Sequence, residues 1–404
     1  MNHVRLFTTT WVRFKPKVSD IDFNRLPSRN SNNLSSGVVG LANVGKSTFF
    51  QAITKTKLGN PANYPFATIE PEESKILVQS TRLDKLSKLY GSKKKIPTSL
   101  KIFDIAGLTR NASNGEGLGN KFLEDIRQVD GIFQIVRGFR DDSIIHIENN
   151  VDPVRDLVIV MDELILKDLE FVESGIDKLE KTIKKPNQPI DKMKKELKLL
   201  EEFQEMLYEG KKIGTFKFKD IESVEMTRKY NFLTIKPTVY LLNVNKEDYL
   251  RNDTEFKKDI EVWLQENCPN DKLMLICAQY ENDKLDNPQE EDTESNRLNG
   301  VVEEMRDSLS LISYFTCGPQ EAREWTIKRG TGAADAAAVI HNDLKDSFIA
   351  AQVYKYSDVI KLAEKNEKVN ESELKAKGLQ YRYGKDHVVE DGDIILFKSA
   401  KGKH

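Results

Sequence analysis

The nine residues Gly40-Leu-Ala-Asn-Val-Gly45-Lys46-Ser47-Thr48 constrain this chain more than any other stretch. They follow an apolar run from Leu34 and precede a helical pattern, the context of a phosphate-binding loop. Glycines let the backbone curl until its N–H groups converge on phosphate oxygens. The positive end of the following helix adds to the same field. Lys46 is expected to reach the β- and γ-phosphates and Ser47 to bind Mg²⁺, with Asn43, Val44, Gly45 and Thr48 completing the nucleotide cradle.

Two downstream segments sit where partners of such a loop belong. Thr68 lies in the Pro-bounded stretch Asn63-Tyr-Pro-Phe-Ala-Thr-Ile-Glu-Pro71, as in a switch loop that completes the Mg²⁺ shell and senses the γ-phosphate. Asp104-Ile-Ala-Gly107 closes an apolar strand. Its carboxylate suits a water-mediated hold on the metal, and the Gly107 N–H suits the γ-phosphate. Asn111 to Gly119 has the Gly/Asn/Ser content of a second switch.

Around this loop the chain reads as α/β. Short apolar runs at Leu34–Gly40, Leu100–Asp104, Gly131–Val136, Thr238–Leu242 and Lys272–Cys277 alternate with helix-length segments. That pattern predicts a mostly parallel sheet with helices on both faces. From Pro153 to Tyr230 the apolar spacing turns helical on both sides of Lys184-Lys-Pro-Asn-Gln-Pro189, which predicts an inserted, charge-rich helical hairpin. Beyond about Leu311, turns at Gly384–Asp386 and Glu390–Asp393 and the run Ile394–Phe397 predict a small α+β domain. The expected divisions are 1–35, an extension; 36–152 and 232–312, the nucleotide domain; 153–231, the helical insert; and 313–400, the C-terminal domain.

Composition narrows the class. Of 404 residues, 31% are charged and the formal net charge is -2, which argues against a protein that coats nucleic acid; no DNA partner is expected. No run approaches the roughly 18 apolar residues of a membrane helix, so no membrane partner is expected. Cys268, Cys277 and Cys317 show no paired spacing and fit a reducing compartment. The five histidines have no cluster spacing, so no metal is expected beyond Mg²⁺. The first 36 residues carry Arg5, Arg13, Lys15 and Lys17 with no Asp or Glu up to Ser19. Two readings stand: a mitochondrial transit segment, which is favoured, or an extension without an address in a cytoplasmic protein.

The phosphate loop, Asn63–Thr68, Asp104–Leu108, Gly115–Leu123, Val151-Asp-Pro153, Arg323-Glu-Trp-Thr326 and Val389–Asp393 resemble the YchF, or Obg-like ATPase, family, from residue 36 to 400. The resemblance implies a G domain, an inserted coiled-coil domain, a C-terminal ubiquitin-like TGS domain, ATP hydrolysis and association with the ribosome, its large subunit in particular. It also places a catalytic histidine of the family at Gln134, which cannot take up a proton but can orient water; the alternative is a buried strand residue. Leu108 stands where Ras-like GTPases keep a water-orienting Gln. Asn43 occupies the position that ligates K⁺ in potassium-activated relatives, or it simply braces the loop.

Base choice turns on Asn243-Val-Asn-Lys246. Guanine-specific relatives end this motif with an Asp that accepts guanine's N1–H and exocyclic amine. Lys246 cannot, so ATP is expected over GTP, which should bind more weakly. Asn243 either bonds adenine N7 and N6, with Val244 beside it, or caps the strand end. The family usually carries Glu at the position of Lys246. A GTPase of the same fold and a non-hydrolysing ribosome-binding module are the alternatives to an ATPase.

Overall fold

The computed structural model describes residues 32–54, 73–105, 118–185, 189–286, 297–366, 368–400 and 402–403. The leading segment 1–31, Thr68, Gly107, Leu108 and the core of the expected second switch lie outside the described residues.

One sheet has the order β2-β4-β1-β5-β6-β7, formed by β1 (Ser35–Val39), β2 (Glu73–Leu77), β4 (Ser99–Asp104), β5 (Gly131–Arg137), β6 (Thr238–Asn243) and β7 (Lys272–Ile276). All pairings are parallel except that of β2, the edge strand. Every residue of β1, β5 and β6 is buried, as expected of parallel strands covered on both faces. Helices α1 (Lys46–Thr54), α3 (Leu118–Gln128), α7 (Lys246–Arg251) and α8 (Lys257–Asn267) lie between these strands, and α9 (Ala278–Asp286) and α10 (Arg297–Ser308) follow β7.

The insert leaves β5 and returns to β6. Its first helix, α4 (Pro153–Ile183), is 31 residues long, about 46 Å at 1.5 Å per residue. It starts where Asp152 accepts the Arg155 N–H at 3.1 Å, with Pro153 supplying a preset φ in the first turn. α5 (Ile190–Tyr208) packs back on it, and α6 (Ile221–Arg228) follows. The hairpin's base is closed by Phe203, which meets Phe216, Phe218 and Phe232 edge-on. Asp168 of α4, fully buried, accepts from Leu233 N at 2.8 Å, Thr234 N at 2.7 Å and the Thr234 hydroxyl at 2.7 Å. That carboxylate ties α4 to the segment feeding β6.

A second sheet has the order β11-β10-β12-β8-β9-β3. Its C-terminal members are β8 (Leu311–Cys317), β9 (Glu321–Lys328), β10 (Phe348–Tyr354), β11 (Tyr381–Tyr383) and β12 (Ile394–Ser399), with β13 (Gly402–Lys403) paired on β12. An antiparallel β8–β9 hairpin, β12 parallel to β8, and α11 (Ala333–Ile340) give the expected ubiquitin-like arrangement. α12 (Asn342–Asp346), α13 (Tyr356–Asn366) and α14 (Glu371–Ala376) complete it.

Part of the span 36–152 also packs with the C-terminal domain, whose first strand β8 opens at Leu311 beside the expected division at 313. β3 (Lys94–Ile96) runs parallel to β9 as an added edge strand, and α2 (Thr81–Tyr90) buries Leu83 and Leu86 against Phe315, Ala322 and Ile394. Arg82 clasps Asp391 with two bonds, at 2.7 and 3.2 Å. The segment assigned to the nucleotide domain thus completes the C-terminal core. The register of β3 on β9 has no sequence signal of its own.

Replacing Asp168 with Ala leaves two N–H groups and a hydroxyl buried without an acceptor. It should lower stability by about 3 kcal/mol or more, seen as an earlier unfolding transition in urea, while Asp168→Asn loses less. An unchanged midpoint for Asp168→Ala would show that the anchor is redundant.

Candidate functional site

Parallel strands β1, β4, β5, β6 and β7 end on one edge of the sheet, and the loops leaving that edge enclose a cavity of about 1040 Å³. One end is the phosphate loop: Asn43, Gly45, Lys46, Ser47 and Thr48 line it. The other end is built from Asn243 to Lys246 after β6 and Cys277 to Tyr280 after β7.

The loop's shape depends on residues with positive φ. Gly45 has φ +98°, and a Cβ there would lie 2.3 Å from Asn243 Nδ2. Gly40 backs against the Ile135 carbonyl, where a Cβ would come within 2.4 Å. Asn43 takes φ 62°, a conformation Asn tolerates better than most residues. α1 begins directly at Lys46, and its first closing bond runs from Phe49 N to Gly45 O at 2.9 Å.

Lys46 is buried, and its ammonium donates to Leu41 O at 2.7 Å. Burial lowers its pKa to about 8, opposed by the nearby Asp104 carboxylate. Asp104 reaches the site because β4 runs beside β1 with Val38 opposite Asp104. Ser47 Oγ donates to Asp104 Oδ2 at 3.4 Å. Burial raises the Asp104 pKa despite Lys46 and Ser47, so its negative charge is incompletely compensated. An oxygen pair of this kind suits a hard divalent cation such as Mg²⁺.

Asn243 lines the cavity, but its carboxamide is engaged at both ends. Nδ2 donates to Val44 O at 3.0 Å, and Oδ1 accepts from Ala278 N at 3.0 Å. Asn243 is thus a strut joining the phosphate loop to the far wall, and its second N–H and second oxygen lone pair are left over from these two bonds. Val44 is buried, and its contribution is this carbonyl. Val244 holds the edge of β7 through its N–H to Ile276 O at 2.8 Å.

Gln134 takes the second of its two expected placements, a buried strand residue. It is 3% exposed, on the face of β5 opposite Phe133, whose ring packs edge-on against Phe49 of α1. It is not in the cavity's described lining, and its Nε2 has no hydrogen-bond partner among the described residues. Buried strand burial, not water positioning, is the role this placement supports.

The segment after β5 forms a wall that sequence reasoning missed. Buried Arg137 donates to the carbonyls of Phe139 at 3.1 Å, Asp141 at 3.0 Å and Ile144 at 2.9 Å, curling residues 138–145 beside the phosphate loop. Asn43 Nδ2 donates to Ile145 O at 3.0 Å. Next to it, His146 accepts the Glu148 N–H at Nδ1, 3.0 Å, so its proton sits on Nε2 and is donated to Asp156 of α4 at 2.9 Å. An Arg closing a largely apolar strand was the available signal. Among the described residues no His/Cys/Asp/Glu group is arranged to hold a metal by itself.

A family model described as a 50S ribosome-binding GTPase matches residues 35–188, and one for the C-terminal domain of YchF-type GTPases, described as a protein of unknown function, matches residues 311–400. An Obg-like ATPase homolog of Saccharomyces cerevisiae is 50% identical over 397 residues, spanning 94% of this chain and 97% of that protein. Obg-like ATPase 1 of the same yeast is 46% identical over 390 residues, with 94% and 97% covered. The solved structure of the Schizosaccharomyces pombe YchF GTPase matches with a TM-score of 0.82 at 41% identity, covering 92% of this chain and 99% of that one.

A methyl group at Gly45 would break the Asn243 strut and strain a left-handed residue, together about 3 kcal/mol. Gly45→Ala should therefore weaken binding of a fluorescent ATP analogue by about a hundredfold. Retained affinity in that titration would disprove the role given to the turn.

Proposed function

The chain belongs to the Obg-like ATPase (YchF) family, and we propose that it cleaves the β–γ bond of ATP, yielding ADP and phosphate, as a slow, ribosome-associated switch. It is a nucleotide hydrolase with a P-loop G domain. The strongest support for the proposed site is that Lys46, Ser47 and the Gly45 turn share one end of a cavity of about 1040 Å³, a volume at the upper end of the range for small-molecule sites.

Catalysis on this reading is electrostatic. Lys46 leaves Leu41 O to meet the β- and γ-oxygens, and the phosphates restore the ammonium that burial disfavours. Ser47, Asp104 and Thr68 are the oxygen donors that would hold Mg²⁺, which supplies charge neutralisation at the bridging phosphates when bound. Gly107 is assigned to the γ-phosphate through its N–H. Asn43, with Nδ2 pinned by Ile145 O, keeps its amide oxygen for a monovalent cation such as K⁺. None of these groups abstracts a proton from water, which is why turnover is expected to be slow until a partner completes the site.

ATP over GTP is supported by the absence of a carboxylate at Lys246 and by relatives named ATPases. The ribosome, through its large subunit, is supported by the description of the matching G-domain family. Acid-poor residues up to Ser19 support a mitochondrial location. Among the described residues no helix is long and apolar enough to cross a membrane.

ATP turnover by the wild type and by Lys46→Ala, each with and without ribosomes, tests this reading. Lys46→Ala should lose about a hundredfold or more in kcat/KM, and ribosomes should stimulate only the wild type. Equal rates for the two proteins would refute the site; equal rates with and without ribosomes would refute the partner.

A further inference from the structure

Between β5 and α4, three consecutive residues are bound to three different parts of the fold. Ile144 O accepts from Arg137 of β5 at 2.9 Å. Ile145 O accepts from Asn43 Nδ2 of the phosphate loop at 3.0 Å. His146 Nε2 donates to Asp156 Oδ2 of α4 at 2.9 Å. Sheet, phosphate loop and insert therefore meet within one short turn.

Apolar burial does not arrange this turn. Ile144, Ile145 and Ile147 are 38, 78 and 39% exposed, whereas His146 is 5% exposed. Hydrophobic transfer alone favours the reverse arrangement, so polar bonds hold the turn. Both imidazole nitrogens are used, since Nδ1 accepts from Glu148 N at 3.0 Å. Asp156 is buried, and its second oxygen accepts from Arg155 Nε at 3.1 Å and Nη2 at 2.8 Å. It lies in the first turn of α4, just inside the Asp152 cap. The carboxylate moves only if the root of α4 moves.

We propose that His146 is a positioning residue of the nucleotide site: it ties the Ile145 carbonyl to the root of α4 and, through that carbonyl, sets Asn43 in the phosphate loop. This rests on the hydrolase site proposed above. Arg137 fixes the turn to the sheet and His146 fixes it to the insert, so a displacement of α4 against β5 moves the carbonyl that Asn43 follows. Asn43 lines the cavity with Gly45 and Lys46 at φ 62°, a backbone state that needs support outside glycine. Misplacing such a group by about 1 Å slows chemistry by up to about a hundredfold. The long insert thereby has a mechanical hold on the loop that binds phosphate.

Two substitutions separate the two bonds of the imidazole. His146→Asn keeps an acceptor near the Nδ1 position for the Glu148 N–H and loses the donor to Asp156. His146→Gln keeps a donor near the Nε2 position and loses the acceptor for Glu148. On the full chain, His146→Asn should lower kcat for ATP by about tenfold or more while the Kd of a fluorescent ATP analogue changes by less than about threefold, and His146→Gln should stay within about threefold of wild type in both. In an Asn43→Ala background, His146→Asn should add no further loss. Linkage is reciprocal, so binding of a non-hydrolysable ATP analogue to the wild type should slow amide exchange in the first turn of α4 by about fivefold or more, and His146→Asn should erase that slowing. Full turnover by His146→Asn, a loss confined to His146→Gln, or an additive loss in the Asn43→Ala background overturns the proposal. Unchanged exchange at the root of α4 in the wild type overturns it without recourse to any variant. Wild type that needs Lys46 but is indifferent to residue 146 defeats this assignment alone. Equal turnover by wild type and Lys46→Ala defeats the hydrolase site and this inference with it.

Discussion

One carboxamide holds the nucleotide site together. Asn243, at the end of β6, reaches Val44 of the phosphate loop, 199 residues earlier, and the first N–H of α9. The contact is possible only because residue 45 has no side chain: a Cβ there would occupy the position of Asn243 Nδ2. Loop curvature, strand order and the far wall of the cavity are therefore one geometric condition. A backbone turn at φ +98° is strained for any L-residue with a side chain, and the strut and the glycine make it the favoured state.

That condition explains why so much buried polarity lies around the insert. The chain leaves β5, travels the length of α4 and returns before β6 can supply Asn243 at its proper height. β5 and β6 pair from Ile132–Thr238 to Arg137–Asn243, and a slip of one residue would turn Asn243 to the other face. Asp168 clamps the return at Leu233 and Thr234. Lys236 Nζ donates to Val129 O at 2.5 Å and to Asn231 Oδ1 at 3.1 Å, fixing the last residues before β6 against the start of β5. At the other end of α4, Asp156 holds His146, adjacent to the Ile145 carbonyl that Asn43 grips. The long helix is thus attached to the nucleotide domain at its root, close to the phosphate loop, while its distal part pairs with α5 as an antiparallel hairpin.

The C-terminal domain is attached just as closely. Its sheet takes β3 as an edge strand, and its second hydrophobic cluster takes Leu83 and Leu86 from α2. Thr98 and Thr326 share a hydrogen bond at 2.7 Å, and Arg306 of α10 reaches Ser313 at 2.7 Å. Covering the β9 edge in this way also removes an unpaired strand that would otherwise invite association.

Much of this was legible in the residues themselves. The phosphate loop, the Asp at the end of β4, the five parallel strands, the hairpin beginning at Pro153 and the small α+β end are encoded locally: by glycine and lysine spacing, by apolar period and by Pro and Asp caps, whose physics acts over a few residues; the ubiquitin-like form of that end was implied by the family resemblance. Tertiary structure alone decided that Asn243 braces the loop, that Gln134 lies inside the sheet, that Arg137 curls a wall from residues 138–145, that Lys246 leans on Tyr280, and that α2 and β3 serve the C-terminal core. Each of these depends on which distant strands pair and in what register. Hydrogen-bond valence is satisfied by whatever pairing brings near, and neither residue type nor spacing along the chain specifies that.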